Sequence, residues 1–312
     1  SYVQLLKDKA LPKQYVNIVG RRSMLEHTFH RADKLIAAEQ IFTVVSRDHL
    51  EYPEVRRQLV KRRAETIIVQ PANKETGPGI LLPLMFVYKQ CPEAIVAVFP
   101  SDHFILEEDR FMLHVGLAAE AVTHDPARIV LLAIEPAEPE IEYGYIVPQA
   151  DDSALGRFGT KMISSFIEKP GAERAFELTR AGALWNTMTM VFKLGKFLEL
   201  VRRVHPVVYR DFYRILEAIG TTDERHTIER VYQTLEPINF SREILERIAN
   251  RHPEALSVFP VRRVFWSDLG SPERVLRVRN RLRLYKCRRD STSLVASQIL
   301  QTGEAIGGRP EF

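Results

Sequence analysis

The chain has 312 residues, 45% apolar and 27% charged, which is ordinary for a globular protein and enough for one large domain with a substantial core. No apolar run approaches the roughly 20 residues that cross a bilayer, so no membrane partner is expected. Cys91 and Cys287 lie far apart, outside any metal-type spacing, which excludes a disulfide framework and favours a reduced, cytoplasmic setting. The net charge of +4 is concentrated in one segment, Arg274, Arg277, Arg279, Arg281, Arg283, Lys286, Arg288 and Arg289, with no acid among them; the remainder is close to neutral.

Taken in order, Leu11-Pro12-Lys13-Gln14 leads into a predicted strand, Tyr15 to Val19, closed by Gly20. Lys13, after a proline and ahead of a strand, is a usable phosphate ligand, although a solvated lysine fits the same pattern. Ser23 to Ile36 reads as a helix with Ser23 as N-cap, Glu26 completing a capping box, and Met24, Leu25, Phe29 and Leu35 near one face. A strand over Ile41 to Val45, a charged helix over Asp48 to Arg63 and a strand over Thr66 to Val69 follow. This alternation predicts βαβ units and an α/β fold.

The loop Gln70 to Gly79 joins that strand to an apolar helix, Ile80 to Tyr88. Its amides, hydroxyl and glycines suit a surface where backbone approaches a flat ligand and reads hydrogen bonds on its edge; a plain turn with a helix-starting Pro78 explains the glycine and proline alone. Next comes Ala94 to Phe99, apolar on both faces and rich in β-branched residues, as expected of a central parallel strand covered by helices. It stops at Pro100-Ser101-Asp102-His103, which places Asp102 in the crevice at the carboxyl end of a strand, where α/β sheets gather ligands. A capping Ser-Asp pair explains the same residues.

A helix from Glu107 to Thr123 and a strand from Arg128 to Ile134 complete the first half. Past Pro139 the pattern changes: Tyr143 to Val147, a polar hairpin over Asp151 to Gly159 and Lys161 to Ile167 read as antiparallel. Leu184-Trp185-Asn186-Thr187 leads into a strand from Met188 to Phe192, and residues 196 to 250 read as helical. After Leu256 to Phe259 and Val264 to Ser267, Asp268 repeats the pattern of Asp102, a carboxylate after an apolar strand. In the basic segment, Val275, Val278, Leu282 and Tyr285 recur at helical spacing, so it reads as an amphipathic helix with a solvated basic face. No aromatic platforms interleave the charges, and no nucleic-acid partner is expected.

In order, Pro12-Lys13-Gln14, Gln70 to Pro78, Pro100-Ser101-Asp102-His103, Tyr143-Gly144-Tyr145-Ile146, Phe166-Ile167-Glu168-Lys169-Pro170, Trp185-Asn186 and Trp266-Ser267-Asp268-Leu269-Gly270 resemble the motifs of mannose-1-phosphate guanylyltransferases, in the sugar nucleotidyltransferase superfamily. The resemblance implies a Rossmann-like, mixed and mostly parallel sheet with helices on both faces. It also implies the reaction of GTP with mannose 1-phosphate to give GDP-mannose and pyrophosphate. Lys13, Asp102 and Lys169 would then be catalytic, and Asp102 and Asp268 would hold Mg²⁺. Gln70, Pro71, Asn73, Thr76, Gly77 and Ser101 would contact the nucleotide; Gly144, Glu168, Lys169 and Asn186 would bind the sugar phosphate. His103 is expected to pack or hydrogen-bond rather than act as acid or base.

The sequence also departs from the resemblance. The first glycine is Gly20, so no glycine-rich phosphate cradle precedes Pro12, and full activity is expected to require residues ahead of Ser1. Thr187-Met188 stands where a Ser-Gly pair is usual, and Asn239 where an acid is usual, which leaves the sugar open. A catalytically silent nucleotide-sugar-binding regulator or scaffold, or a transferase for another sugar 1-phosphate, are the alternatives. Residues 1–290 are expected to form one catalytic domain and 291–312 a C-terminal tail, with a homodimer left open.

Overall fold

In the computed structural model the described residues are 11–149 and 158–285. The expected tail, residues 286–289 of the basic segment and most of the hairpin expected over Asp151 to Gly159 lie outside them.

The first predicted strand is not one. Pro12 and the tight turn it begins make Lys13–Tyr15 a 3-10 helix, after which Ile18 and Val19 are buried as loop residues. Helix α1, Met24–Ala32, starts as expected: the Ser23 hydroxyl accepts from the Glu26 amide, and the Glu26 carboxylate accepts from the Ser23 amide. It ends four residues early, leaving Leu35 exposed outside the helix. β1 (Thr43–Ser46) and β2 (Ile67–Gln70) form a parallel pair. The helix expected between them is shortened to α2, Pro53–Leu59, because Pro53 cannot continue a helix but starts one well. Helix α3 (Thr76–Gln90) returns the chain to β3, Ile95–Val98.

The rest follows as β4 (Phe104–Ile105), α4 (Glu108–His124), β5 (Ile129–Ile134), β6 (Gly144–Pro148), β7 (Lys161–Glu168), α5 (Ala172–Arg180) and β8 (Leu184–Lys193). Then come α6 (Leu194–Val204), α7 (Pro206–Ala218), α8 (Glu224–Thr234), a π-helical turn at Ser241–Leu245, α9 (Glu246–Arg251), β9 (Leu256–Val261), β10 (Trp266–Ser267) and a helix α10 over 272–285.

The main sheet has six strands in the order β3-β8-β5-β9-β7-β6. β3, β5, β9 and β6 run one way and β8 and β7 the other, so the sheet is mixed with most strands sharing a direction. β5 is its centre. Ile129, Leu131 and Ala133 join the core under α3, α6, α7, α8 and α9, whereas Val130, Leu132 and Ile134 join the core under α4 and α5. Helices therefore cover both faces. β3, expected at the centre, instead ends the six-stranded sheet: it pairs antiparallel with β8 alone among the described strands, and Ile95 is 39% exposed. Its alternating Val96 and Val98 still pack on the same core as Phe42 and Ile68, next to the β1–β2 pair.

Candidate active site

Asp102 follows β3 and Asp268 follows β10, and Lys13 joins them. The Lys13 ammonium lies 2.9 Å from Asp102 Oδ2 and donates to the Asp268 carbonyl at 2.9 Å. Burial works to raise the Asp102 carboxyl, but His103 and Lys13 outweigh it and hold the group below its ordinary range. His103 accepts from the Trp266 indole at Nδ1 (3.2 Å), since indole can only donate, so its proton sits on Nε2, 3.7 Å from Asp102 Oδ1. Burial lowers the His103 pKa against the pull of Asp102 and Asp268. It packs edge-on against Trp266 and supports the carboxylate.

The Asp268 carboxylate is held firmly. Oδ1 accepts from the Tyr143 hydroxyl (2.8 Å) and the Gly270 amide (3.0 Å), and Arg274 Nη1 reaches both oxygens at 3.1 and 2.9 Å. The other Arg274 nitrogen lies 2.8 Å from Glu140 and 2.8 Å from Glu142, and the guanidinium stacks 4.4 Å over the Tyr143 ring. Gly270 leaves room for this pair: a Cβ would lie 2.7 Å from both Arg274 Nη1 and Asp268 Oδ2, so one of the two would have to shift. Arg274, read from sequence as part of a solvated basic face, is only 5% exposed, because three carboxylates surround it. The rest of that reading holds for α10, where Val275 and Val278 are buried and Leu282 packs beside them.

The donor set suits a hard cation. Among the described residues Asp102 Oδ1 has no close cation and Asp268 Oδ2 has Arg274 alone, so each carboxylate keeps an oxygen with spare capacity. Among the described residues no cluster of three or more ligating side chains exists. Two carboxylates are the number of protein ligands that Mg²⁺ commonly takes, with water and substrate phosphates completing its shell.

Tyr143 connects this end to a second group. Its carbonyl accepts from the Lys169 amide (3.2 Å), and the next residue, Gly144, pairs across β6 and β7 with Glu168. A Cβ at Gly144 would lie 2.6 Å from Glu168 Oε2 and 3.6 Å from Asn186 Cβ, so these three residues meet at one point. Burial raises the Glu168 pKa, opposed by Lys169 and by a hydrogen bond with Ser241. Lys169 itself takes a positive φ of 49° just past the end of β7 and is exposed. Sequence reasoning named Gly144, Glu168, Lys169 and Asn186 as candidates but not Tyr143, Ser241 or Arg274, which the structure sets beside them and beside Asp268. For Arg274 a signal existed: it lies just past the Asp-Leu-Gly turn, in the first turn of the following helix, and opens the acid-free segment.

The loop from Gln70 is anchored rather than free. The Gln70 amide is buried, donating to Ser46 Oγ (3.0 Å) and accepting from the Tyr232 hydroxyl (3.4 Å). The Thr76 hydroxyl accepts from the Phe240 amide (2.9 Å), and Gly77 donates to the Ile238 carbonyl (2.8 Å) so closely that a Cβ would stand 2.7 Å from the Ile238 side chain. Asn73 accepts from the Glu75 amide (3.0 Å), which shapes the turn and leaves the Asn73 amide nitrogen and the half-buried Pro71 on the outside. Ser101, next to Asp102, is half-buried. Asn239 accepts from the Arg242 amide (3.0 Å) and starts the next helical turn.

A family description of nucleotidyl transferases matches residues 8–283. The chain belongs to the nucleotidyl transferase family. Within that family it is 25% identical over 264 residues to the mannose-1-phosphate guanylyltransferase of Escherichia coli, covering 83% of this chain and 53% of that protein. It is 29% identical over 205 residues to the alginate biosynthesis protein AlgA of Pseudomonas syringae pv. tomato, covering 65% of this chain and 41% of that one. It thus spans about half the length of these relatives. A Thermus thermophilus structure described as a mannose-1-phosphate geranyltransferase superposes with a TM-score of 0.67 at 26% identity, over 80% of this chain and 67% of that one. UDP-glucose pyrophosphorylase bound to UDP-glucose shares the fold, with a TM-score of 0.51 at 15% identity over 90% of this chain and 92% of that one. The two solved structures share the fold of this nucleotidyl transferase.

Proposed function

We propose that the site transfers a guanylyl group from GTP to mannose 1-phosphate, releasing pyrophosphate and giving GDP-mannose. The observation that carries this reading is the continuity through Tyr143, which ties the Lys13–Asp102–Asp268 group to the Gly144–Glu168–Lys169–Asn186 group. One group is built for phosphates and a cation, the other for a polyol bearing an anion, and the relatives named for mannose 1-phosphate support the choice of sugar.

The sugar phosphate needs no general base, because a phosphate monoester with a second pKa near ~6 is largely ionised at neutral pH. His103, its pKa lowered by burial, fits that economy. Lys169 is placed to hold the attacking phosphate, and Glu168 to accept from sugar hydroxyls. Lys13 offsets charge on the departing pyrophosphate, and positioning with charge neutralisation supplies the rate. Mg²⁺, held by Asp102 and Asp268, would neutralise phosphate charge. The guanine is read by the outer face of the loop 71–75, where the exposed Asn73 carries its amide nitrogen. A nucleoside triphosphate substrate also fits a cytoplasmic site of action, and among the described residues no helix is long and apolar enough to cross a membrane.

The test is pyrophosphate release with mannose 1-phosphate and each of four nucleoside triphosphates. Preference for GTP by tenfold or more in kcat/KM is expected, at about 1.4 kcal/mol per factor of ten. Equal rates with all four would overturn the base assignment.

A further inference from the structure

β8 is buried from residue 184 to 192 with one exception, Met188, which reaches solvent on the side of Glu168 and Ser241. The cause is a bulge. On β5, Leu131 pairs with Met190 and Ala133 with Asn186, so Thr187, Met188 and Thr189 stand opposite a single residue, Leu132. The Thr187 hydroxyl fastens the bulge by donating to the Leu132 carbonyl at 2.6 Å and accepting from the Thr189 amide at 3.3 Å. Met188 sits at its apex with φ of 57°, a region that side chains with a Cβ avoid and glycine does not. Bulges of this kind re-aim a side chain beside a site.

The re-aimed thioether meets the sugar group directly. Met188 Sδ lies 3.2 Å from Asn186 Nδ2 and 3.1 Å from Ser241 Oγ, and the Met188 amide donates to Asn186 Oδ1 at 3.0 Å. Both ends of the Asn186 amide are therefore committed to Met188, and Ser241, the partner of Glu168, points at the same sulfur. A weak acceptor thus occupies the place where three polar side chains converge.

Resting on the reading of this group as the sugar-phosphate subsite, we propose that Met188 is a specificity-determining residue. Its side chain walls the subsite and restricts it to hexose 1-phosphates whose substituent beside Asn186 and Ser241 is no larger than a hydroxyl. A methionine side chain has as many heavy atoms as an acetamido group, which makes an acetamido sugar a probe of that volume. Removing it would also release the Asn186 amide nitrogen to hydrogen-bond the acetamido group. Rejection by bulk is a form of specificity that attractive contacts alone do not supply.

The experiment compares Met188→Gly, Met188→Leu and the unaltered protein. It measures kcat/KM with GTP and Mg²⁺ for mannose 1-phosphate and for its 2-acetamido counterpart, and binding of the two GDP-sugars by calorimetry. Met188→Gly is expected to raise the acetamido-to-parent ratio by at least about tenfold, the scale of a filled or emptied pocket. Met188→Leu should leave that ratio unchanged, and the Tm of Met188→Gly should be preserved because glycine suits the apex φ. An unchanged ratio in the glycine variant, or equal use of both sugars by the unaltered protein, overturns the role of Met188 and leaves the sugar subsite standing. Failure of every variant to bind or use any sugar phosphate overturns the subsite and this inference together.

Discussion

At Arg274 one cation answers three carboxylates, and its fork suits the task better than a lysine would, because one nitrogen spans both Asp268 oxygens while the other meets Glu140 and Glu142. Removing a partner from a buried ion pair leaves the others uncompensated, typically at a cost of about 3–5 kcal/mol. Arg274→Ala should lower the urea midpoint accordingly, and Arg274→Lys should recover only part of the loss; a midpoint unchanged by the alanine would remove Arg274 as the support of Asp268. Two other carboxylates behave oppositely with pH. Asp102 is held below its ordinary range, so its stabilisation is present above that range and fades as pH falls through it. Glu168 is raised by burial, so the fold loses stability as pH climbs from the ordinary carboxylate value through the raised one. Glu168→Gln should therefore gain stability relative to the unaltered protein between acid and neutral pH, while Asp102→Asn should lose it. Thermal melts at stepped pH would show the two differences with opposite slopes, and equal slopes would contradict the assignment.

At the scale of elements, local chemistry predicted beginnings better than ends. The capping box at Ser23 and Glu26 was legible because both partners lie within one turn. Ser23 also donates to Gln58 Oε1 at 2.7 Å, and Gln58 donates onward to the Tyr15 carbonyl, so the cap is coupled to the loop that carries Lys13. Ser23→Ala should cost about 1–2 kcal/mol, at the upper end for a cap, because a buried amide loses a partner as well. A loss under a few tenths in chemical unfolding would show that the cap is decorative. Tyr15 to Val19 deceived the strand reading because burial alone made it apolar. The bulge at Met188 was invisible for the converse reason: its residues are ordinary strand formers, and only the register against β5 exposes it.

Across the whole molecule, the α/β class, both terminal carboxylates and the Gly144–Glu168–Asn186 convergence were legible, since strand ends and glycine positions are written locally. Strand order was not, because it is fixed by long-range pairing. The apolar Ile95–Val98 looks central, yet β5, buried on both faces, holds that place. Gln70 reads as a ligand-facing amide, and its partners Ser46 and Tyr232 are likewise long-range contacts that no local pattern shows. What ties the distant pieces together is Lys13 between Asp102 and Asp268, with Tyr143 leading onward to the sugar group. The most direct measurement follows label from GTP carrying radioactive α-phosphate, with mannose 1-phosphate and Mg²⁺, into GDP-mannose. Label should appear in the nucleotide sugar, and Asp102→Asn, which removes a charge with almost no change in volume, should reduce transfer about a hundredfold or more while the fold is retained, the scale lost with one electrostatic stabiliser. Absence of label in any nucleotide sugar, or transfer by Asp102→Asn at the unaltered rate, would contradict the account.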